Sequence, residues 1–170
     1  MQPMSIELKF DNLDVESLEA IMNPPQASPW KLSNDEVADI LEKAADLYQA
    51  EQVEWCANDW ITRKATSTQF SVCAGGAIAL AAGVSLRNFY RVYTNDGGFA
   101  SAPNRGDLAL DPNYDRFREV LDRTALYLKM PVPIWNDGID HPKSKPEAID
   151  MFRRAAKDIR DNIQEESYIK

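Results

Sequence analysis

The chain has 170 residues, of which 44% are apolar and 27% charged, enough apolar side chain for one ordinary core and too much for a disordered segment. Its formal net charge of -8 speaks against a sequence-independent grip on nucleic acid, which needs clustered Lys and Arg to displace counterions from phosphates. No acidic run exceeds two residues, so mimicry of nucleic acid by a carboxylate-dense face is the minor reading and a solvated acidic surface the main one.

In chain order, MQPMSIELKF lacks the basic start and apolar run of a secretory signal, and alternation through Ile6, Leu8 and Phe10 suits a short strand. Val15 to Met22 allows one or two helical turns before the proline-rich stretch 23–29, where missing amide donors interrupt regular structure. We therefore expect a single domain, with an arm over 1–32, a helical core over 33–165 and a tail over 166–170. The longest weakly polar stretch, Cys73 to Val84, is too short to span a bilayer, so the expectation is an intracellular, soluble protein with its two cysteines as thiols.

Ser33 and Glu36 have capping-box spacing, and Val37, Ile40, Leu41, Ala44, Leu47 and Tyr48 form one stripe of a helix over about 34–51. A second helix runs from about Ser71 or Cys73 to Ala82 and ends at Gly83. Its composition, CAGGAIALAAG, is small on nearly every side, which suits a central helix. Gly75 and Gly76 each cost about 1 kcal/mol of helix propensity, so close packing or a ligand at the backbone must compensate.

Residues 94–112 read as a long loop. Asp111 and Pro112 then look like the cap and first residue of a third helix carrying Tyr114, Phe117, Val120, Leu121, Thr124 and Leu128, which Met130-Pro131-Val132-Pro133 ends. A fourth helix starts at Ser144, boxed by Glu147, with Ile149, Phe152, Ala156, Ile159 and Ile163 inward. Arg153, Arg154, Lys157 and Arg160 fall elsewhere, as a solvated face or a docking patch for an acidic partner. Asn-Asp pairs at 34–35, 58–59, 95–96 and 136–137 differ in their flanks and read as turn and cap chemistry rather than a repeat. The fold expected is mainly α, with α+β as the alternative: four helices around the small-residue one, and a minor hairpin from the N-terminus and the 84–100 region.

The order AADLYQAEQVEWC, CAGGAIALA, WND and a capped helix with RRAAKDI resembles a family of small bacterial and phage proteins, a domain of unknown function. The resemblance spans about residues 36–160. It departs at Gly75, where Leu is implied, at Lys143-Ser144, where Arg-Thr is implied, and in an expanded stretch from Leu86 to Asp111. It implies an architecture and, if the chain is phage-encoded, a bacterial cytoplasm; it implies no activity.

For chemistry, the sharpest enzyme reading makes Cys73 a nucleophile whose thiolate a helix N-terminus stabilises, His141 its base, and Asp137 or Asn136 the group orienting the imidazole. The alternative is a small buried cysteine in a core and, in WNDGIDHP, a loop in which Trp135 packs and Asn136 and Asp137 bond to amides. Trp55, Trp60 and Trp135, with Asn136 and Asp137, are the candidate binding residues if the indoles share a cleft. Zinc would have to recruit Cys56, Cys73, His141 and a carboxylate without paired-ligand spacing. The alternation Asp111, Asn113, Asp115 has Arg116 in the required glycine position of a calcium loop, and no phosphate-binding Gly-Lys-Ser/Thr motif occurs, so no cofactor is expected. The function expected is binding of another protein by a non-enzymatic accessory protein, with a thiol hydrolase and an acidic inhibitor that mimics nucleic acid as alternatives.

Overall fold

The computed structural model describes residues 30–64, 66–85, 90–93, 99–100, 108–138 and 140–161. The N-terminal strand and helical turns, the 23–29 linker, most of the 94–112 loop, and Ile163 lie outside these residues. The chain divides between Lys31 and Leu32 into two compact units, and the helices and strands of the described residues all belong to the second.

Its architecture is mainly helical with a small sheet. The helices are α1 (Asn34–Gln49), α2 (Ala74–Ala81), α3 (Tyr114–Leu128), α4 (Val132–Asp137) and α5 (Lys145–Arg160). The strands are β1 (Glu54–Trp55), β2 (Ile61–Lys64), β3 (Ser71–Val72), β4 (Tyr90–Tyr93) and β5 (Phe99–Ala100). They form one sheet in the order β1-β3-β2-β4-β5, in which β1/β3 and β2/β4 are parallel and the other two pairings antiparallel. The minor β element expected is present as this sheet, with β4 and β5 at one edge, whereas the N-terminal member of the expected strand pair lies outside the described residues; β1 and β3, with two residues each, are too short to show alternation.

Helix α1 begins where its capping box requires: the Ser33 amide donates to the Glu36 carboxylate at 2.9 Å, and the Glu36 amide to Ser33 Oγ at 3.1 Å. It buries Val37, Ala38, Ile40, Leu41, Ala44, Ala45 and Tyr48, mostly against α5, which presents Ala148, Met151, Phe152, Ala155, Ala156 and Ile159. Tyr48 stacks on Phe152 with ring centroids 6.4 Å apart, and its hydroxyl donates to the Val72 carbonyl at 2.6 Å, fixing α1 to β3. Burial of a ring such as Phe152 contributes roughly 3 kcal/mol.

The basic residues of α5 have partners. Arg160 reaches Asp35, Asp39 and Glu42 across the helix pair, Arg153 meets Asp46, and Arg154 and Lys157 pair with Asp150 and Asp161 one turn away. Arg153 and Arg160 thus tie α5 to carboxylates of α1, whereas Arg154 and Lys157 stay exposed beside acidic partners of their own segment.

Helix α2 is central, touching α1, α3, α4 and β3. It stops at Gly83, whose φ of 96° is a conformation that side chains disfavour and whose carbonyl accepts from Asn113 Nδ2 at 3.0 Å. The next helix starts later than Asp111-Pro112 suggests. Asp111 instead accepts from the Ser85 amide and from the Asn113 amide, each at 2.9 Å, so it builds the turn before α3. Arg123 of α3, 3% exposed, donates to the Leu32 carbonyl at 2.9 Å and also meets Asn34 and Glu119, holding the start of α1 against α3.

Helix α4 is the main departure from expectation. Pro131 and Pro133 suggest a break, yet Pro131 is the N-cap and Pro133 lies in the first turn, where a missing amide hydrogen costs nothing. Trp135, Asn136 and Asp137 end this helix; Gly138, with φ of 70°, turns the chain, and a Cβ there would run into the His141 carbonyl.

Candidate functional site

Two faces of the stretch from Met130 to Lys143 do different things. The inner face is organised by Asn136, which is fully buried. Its Oδ1 accepts from Trp55 Nε1 at 2.8 Å and from the Ala74 amide at 2.9 Å. Its Nδ2 donates to the Cys56 carbonyl at 3.0 Å and to Asp137 Oδ1 at 3.1 Å, and its own carbonyl accepts from the Lys143 amide at 3.0 Å. Asp137 Oδ1 also receives the Asn58 amide at 2.9 Å. One side chain thus satisfies groups from β1, the segment after it, and the start of α2.

Cys73 is the N-cap of α2, and its Sγ accepts from the Gly76 amide at 3.3 Å. With the Ala74 amide on Asn136 Oδ1, the Ala74 and Gly76 amides at the start of α2 are both engaged within the protein. The glycines accommodate Trp60: a Cβ on Gly75 would strike the Trp60 ring, and one on Gly76 the Trp60 carbonyl oxygen. Of the two compensations for glycine in this helix, close packing is the one observed. Gly75 stands where the resemblance implies Leu, and the Trp60 ring lies where such a side chain would extend.

Burial pushes the Cys73 thiol up to about 11, against the opposing pull of the Gly75 and Gly76 amides, and the Cys56 thiol up to about 12. Desolvation wins over the helix-end effect, so both sulfurs are protonated at neutral pH. A thiol at about 11 rather than 9.0 carries roughly a hundredfold less thiolate there.

These raised values set the sign of a pH dependence in stability. The folded chain keeps protons that the unfolded chain begins to release near 9.0, so the stabilisation is complete below pH 9 and is lost as pH rises through about 11 and 12. Urea midpoints should fall on this alkaline limb, and Cys73→Ser should make the fall shallower. A limb unchanged by Cys73→Ser would contradict the assignment.

The outer face is a cleft of about 250 Å³ lined by Met130, Ile134, Trp135, Gly138, Asp140, His141 and Lys143. A second groove, about 370 Å³, adjoins it through Met130 and is lined by Ala125, Leu126, Lys129 and Pro131. Ile134 is 53% and Met130 39% exposed, two of the three large apolar side chains exposed among the described residues, the third being Leu110 at 80%. The Lys143 ammonium sits 5.5 Å from the centre of the Trp135 ring, within cation–π range. His141 is exposed on this outer wall, whereas Cys73 is buried in the inner face and does not line the cleft.

The family model for the Family of unknown function (DUF6197) matches residues 32–158, most of the chain. This chain belongs to DUF6197. No curated protein and no solved structure matches it.

In this DUF6197 chain the candidate residues of the sequence separate into two groups. Trp55, Cys73, Asn136 and Asp137 meet in the inner network, with Trp60 covering the start of α2; Trp135 and His141 belong to the cleft. The indoles have separate tasks, since Trp55 bonds Asn136, Trp60 packs on Gly75 and edge-on to Phe117, and Trp135 lies beneath Lys143. No cluster of three or more metal-ligating side chains occurs among the described residues, nor is any helix there long and apolar enough to cross a membrane. Met130, Ile134 and Lys143 were not legible as site residues. Their one signal is the apolar pair Met130 and Ile134 on either side of two prolines that read as a break.

Proposed function

We propose that this chain acts by binding another protein, without catalysis of its own, in the cytoplasm of a bacterium or of its phage-infected host. The reading rests on one observation: large apolar side chains, Met130 and Ile134, stand exposed at two adjoining grooves. Solvated surfaces rarely concentrate such groups, and interface cores regularly do. The grooves also carry two lysines, Lys129 and Lys143, against one carboxylate, Asp140, on a chain of formal charge -8. The occupant with matching chemistry is a protein segment that sets apolar side chains beside carboxylates. The inner network supports this division of labour, because Asn136 and Asp137 fix α4 from below while Ile134 and Trp135 face outward.

The test is selection of displayed peptides on the full chain. Recovered sequences should pair apolar with acidic residues, Ile134→Asp should weaken them at least tenfold, about 1.4 kcal/mol, and Lys143→Glu should reduce the salt dependence of binding. Peptides indifferent to both substitutions overturn the reading. So does any hydrolytic turnover that Cys73→Ser and His141→Ala each abolish.

A further inference from the structure

We propose that Met130 is an oxidation site, at which a peroxide converts the thioether to a sulfoxide and so closes the cleft to its occupant. The inference deepens the binding role above and rests on it. Its starting point is the way α3 ends. Lys129 takes the left-handed conformation at φ 61°; its amide donates to the Leu126 carbonyl at 3.3 Å, and the Met130 amide to the Ala125 carbonyl at 3.2 Å. This is the Schellman arrangement, in which an apolar residue just past the left-handed one commonly packs back on the residue whose carbonyl it bonds. Here that residue is alanine. One methyl group leaves much of a thioether uncovered, and Met130 stays 39% exposed. Pro131 follows and restricts Met130 to extended backbone, so the chain is held on both sides of a side chain that the core does not take in.

Position sets Met130 apart from an ordinary surface methionine. It is the residue that both grooves share, lining the cleft with Ile134 and Trp135 and the adjoining groove with Ala125 and Leu126. An unbranched, polarizable side chain there can re-form around different apolar groups, which is how methionine serves binding surfaces. Met151 supplies the contrast within the same fold, since it is 5% exposed in the core on α5.

The step itself is simple. A sulfur lone pair attacks one oxygen of the peroxide, the S–O bond forms and the O–O bond breaks; the departing hydroxide takes the proton from the transferred oxygen and leaves as water. Sulfur is oxidised by two electrons and the peroxide is reduced. No thiolate or base takes part, so access rather than ionisation sets the rate. The product places a strongly polar oxygen on the wall between the grooves. An apolar side chain docking there would strip water from that oxygen without replacing its hydrogen bonds, which should weaken binding about tenfold or more. The fold itself should keep its stability, because the oxidised side chain remains in contact with solvent. The same exposure opens the sulfoxide to enzymatic reduction, which reverses the change.

The experiment exposes the folded, full-length chain to hydrogen peroxide near neutral pH and follows each methionine by peptide mass spectrometry. Peptides selected on the untreated chain are then measured against the treated one. Met130 should gain one oxygen while Met151 gains one only in denaturant, the urea midpoint should stay in place, and peptide binding should weaken about tenfold or more. Methionine sulfoxide reductases acting on both epimers should restore it. Met130→Leu, a volume-conserving apolar exchange, should bind the peptides and keep them after peroxide treatment. Oxidation of Met130 no faster than that of Met151 overturns the site. Peptides held equally by the oxidised and untreated chains overturn the switch and leave the binding role standing, as does an equal loss in Met130→Leu. A chain that selects no peptide overturns both.

Discussion

Asn136→Ala is expected to destabilise the fold by about 3–5 kcal/mol, because it strands the Trp55 indole N–H, the Ala74 amide and the Cys56 carbonyl at about 1–3 kcal/mol for each buried group left unpaired. Domains of this kind are stable by only about 5–15 kcal/mol, so the loss is a large share of the whole. Asn136→Asp separates the two halves of the side chain. It keeps an acceptor for Trp55 and Ala74 but turns an oxygen toward the Cys56 carbonyl and Asp137, so it should be at least as damaging as the alanine. Urea unfolding followed by tryptophan fluorescence measures both. A loss below about 1 kcal/mol for Asn136→Ala would mean that water takes over its role, and the network would no longer count as the anchor of α4.

The second large effect runs against helix propensity. Alanine in place of glycine inside α2 should gain about 1 kcal/mol from propensity alone. At Gly76 the added carbon meets the Trp60 backbone carbonyl, which cannot rotate away, so a net loss of about 2–3 kcal/mol is expected, within the usual range for overpacking. At Gly75 it meets the Trp60 ring, which can tilt, so Gly75→Ala should lose less, about 1–2 kcal/mol. The ranking is the informative part. If both variants were stabilised, Trp60 would not be what requires glycine here.

What could be read from the sequence depended on how local its cause was. Ser33 with Glu36, and Ser144 with Glu147, announce α1 and α5 because a cap is completed within three residues, although only the first closes as a reciprocal box; at the second the Glu147 carboxylate accepts from Ser144 Oγ. The composition of CAGGAIALA announces a central helix because it is small on nearly every side. Helix α4 was hidden because prolines that look like a terminator occupy the places where a helix tolerates them. The sheet was only partly visible, since two-residue strands have no period. Asn136 read correctly as a residue bonding to amides, but its partners lie 62 to 81 residues away and no local pattern reveals them. The cleft was missed for a related reason. It is made by what α4 leaves uncovered, and α4 itself was not foreseen.

The reach of Asn136 also bears on how the chain acquires its structure during synthesis. Trp55, the Cys56 carbonyl and the start of α2 leave the ribosome some 60 to 80 residues before the side chain that satisfies them. Until Asn136 emerges, a nascent chain can form α1 and parts of the sheet but cannot dry the interior around β1 and α2. Burial there is therefore deferred until α4 is made, and a chain truncated before residue 136 should be captured by chaperones or proteases rather than accumulate as a folded fragment.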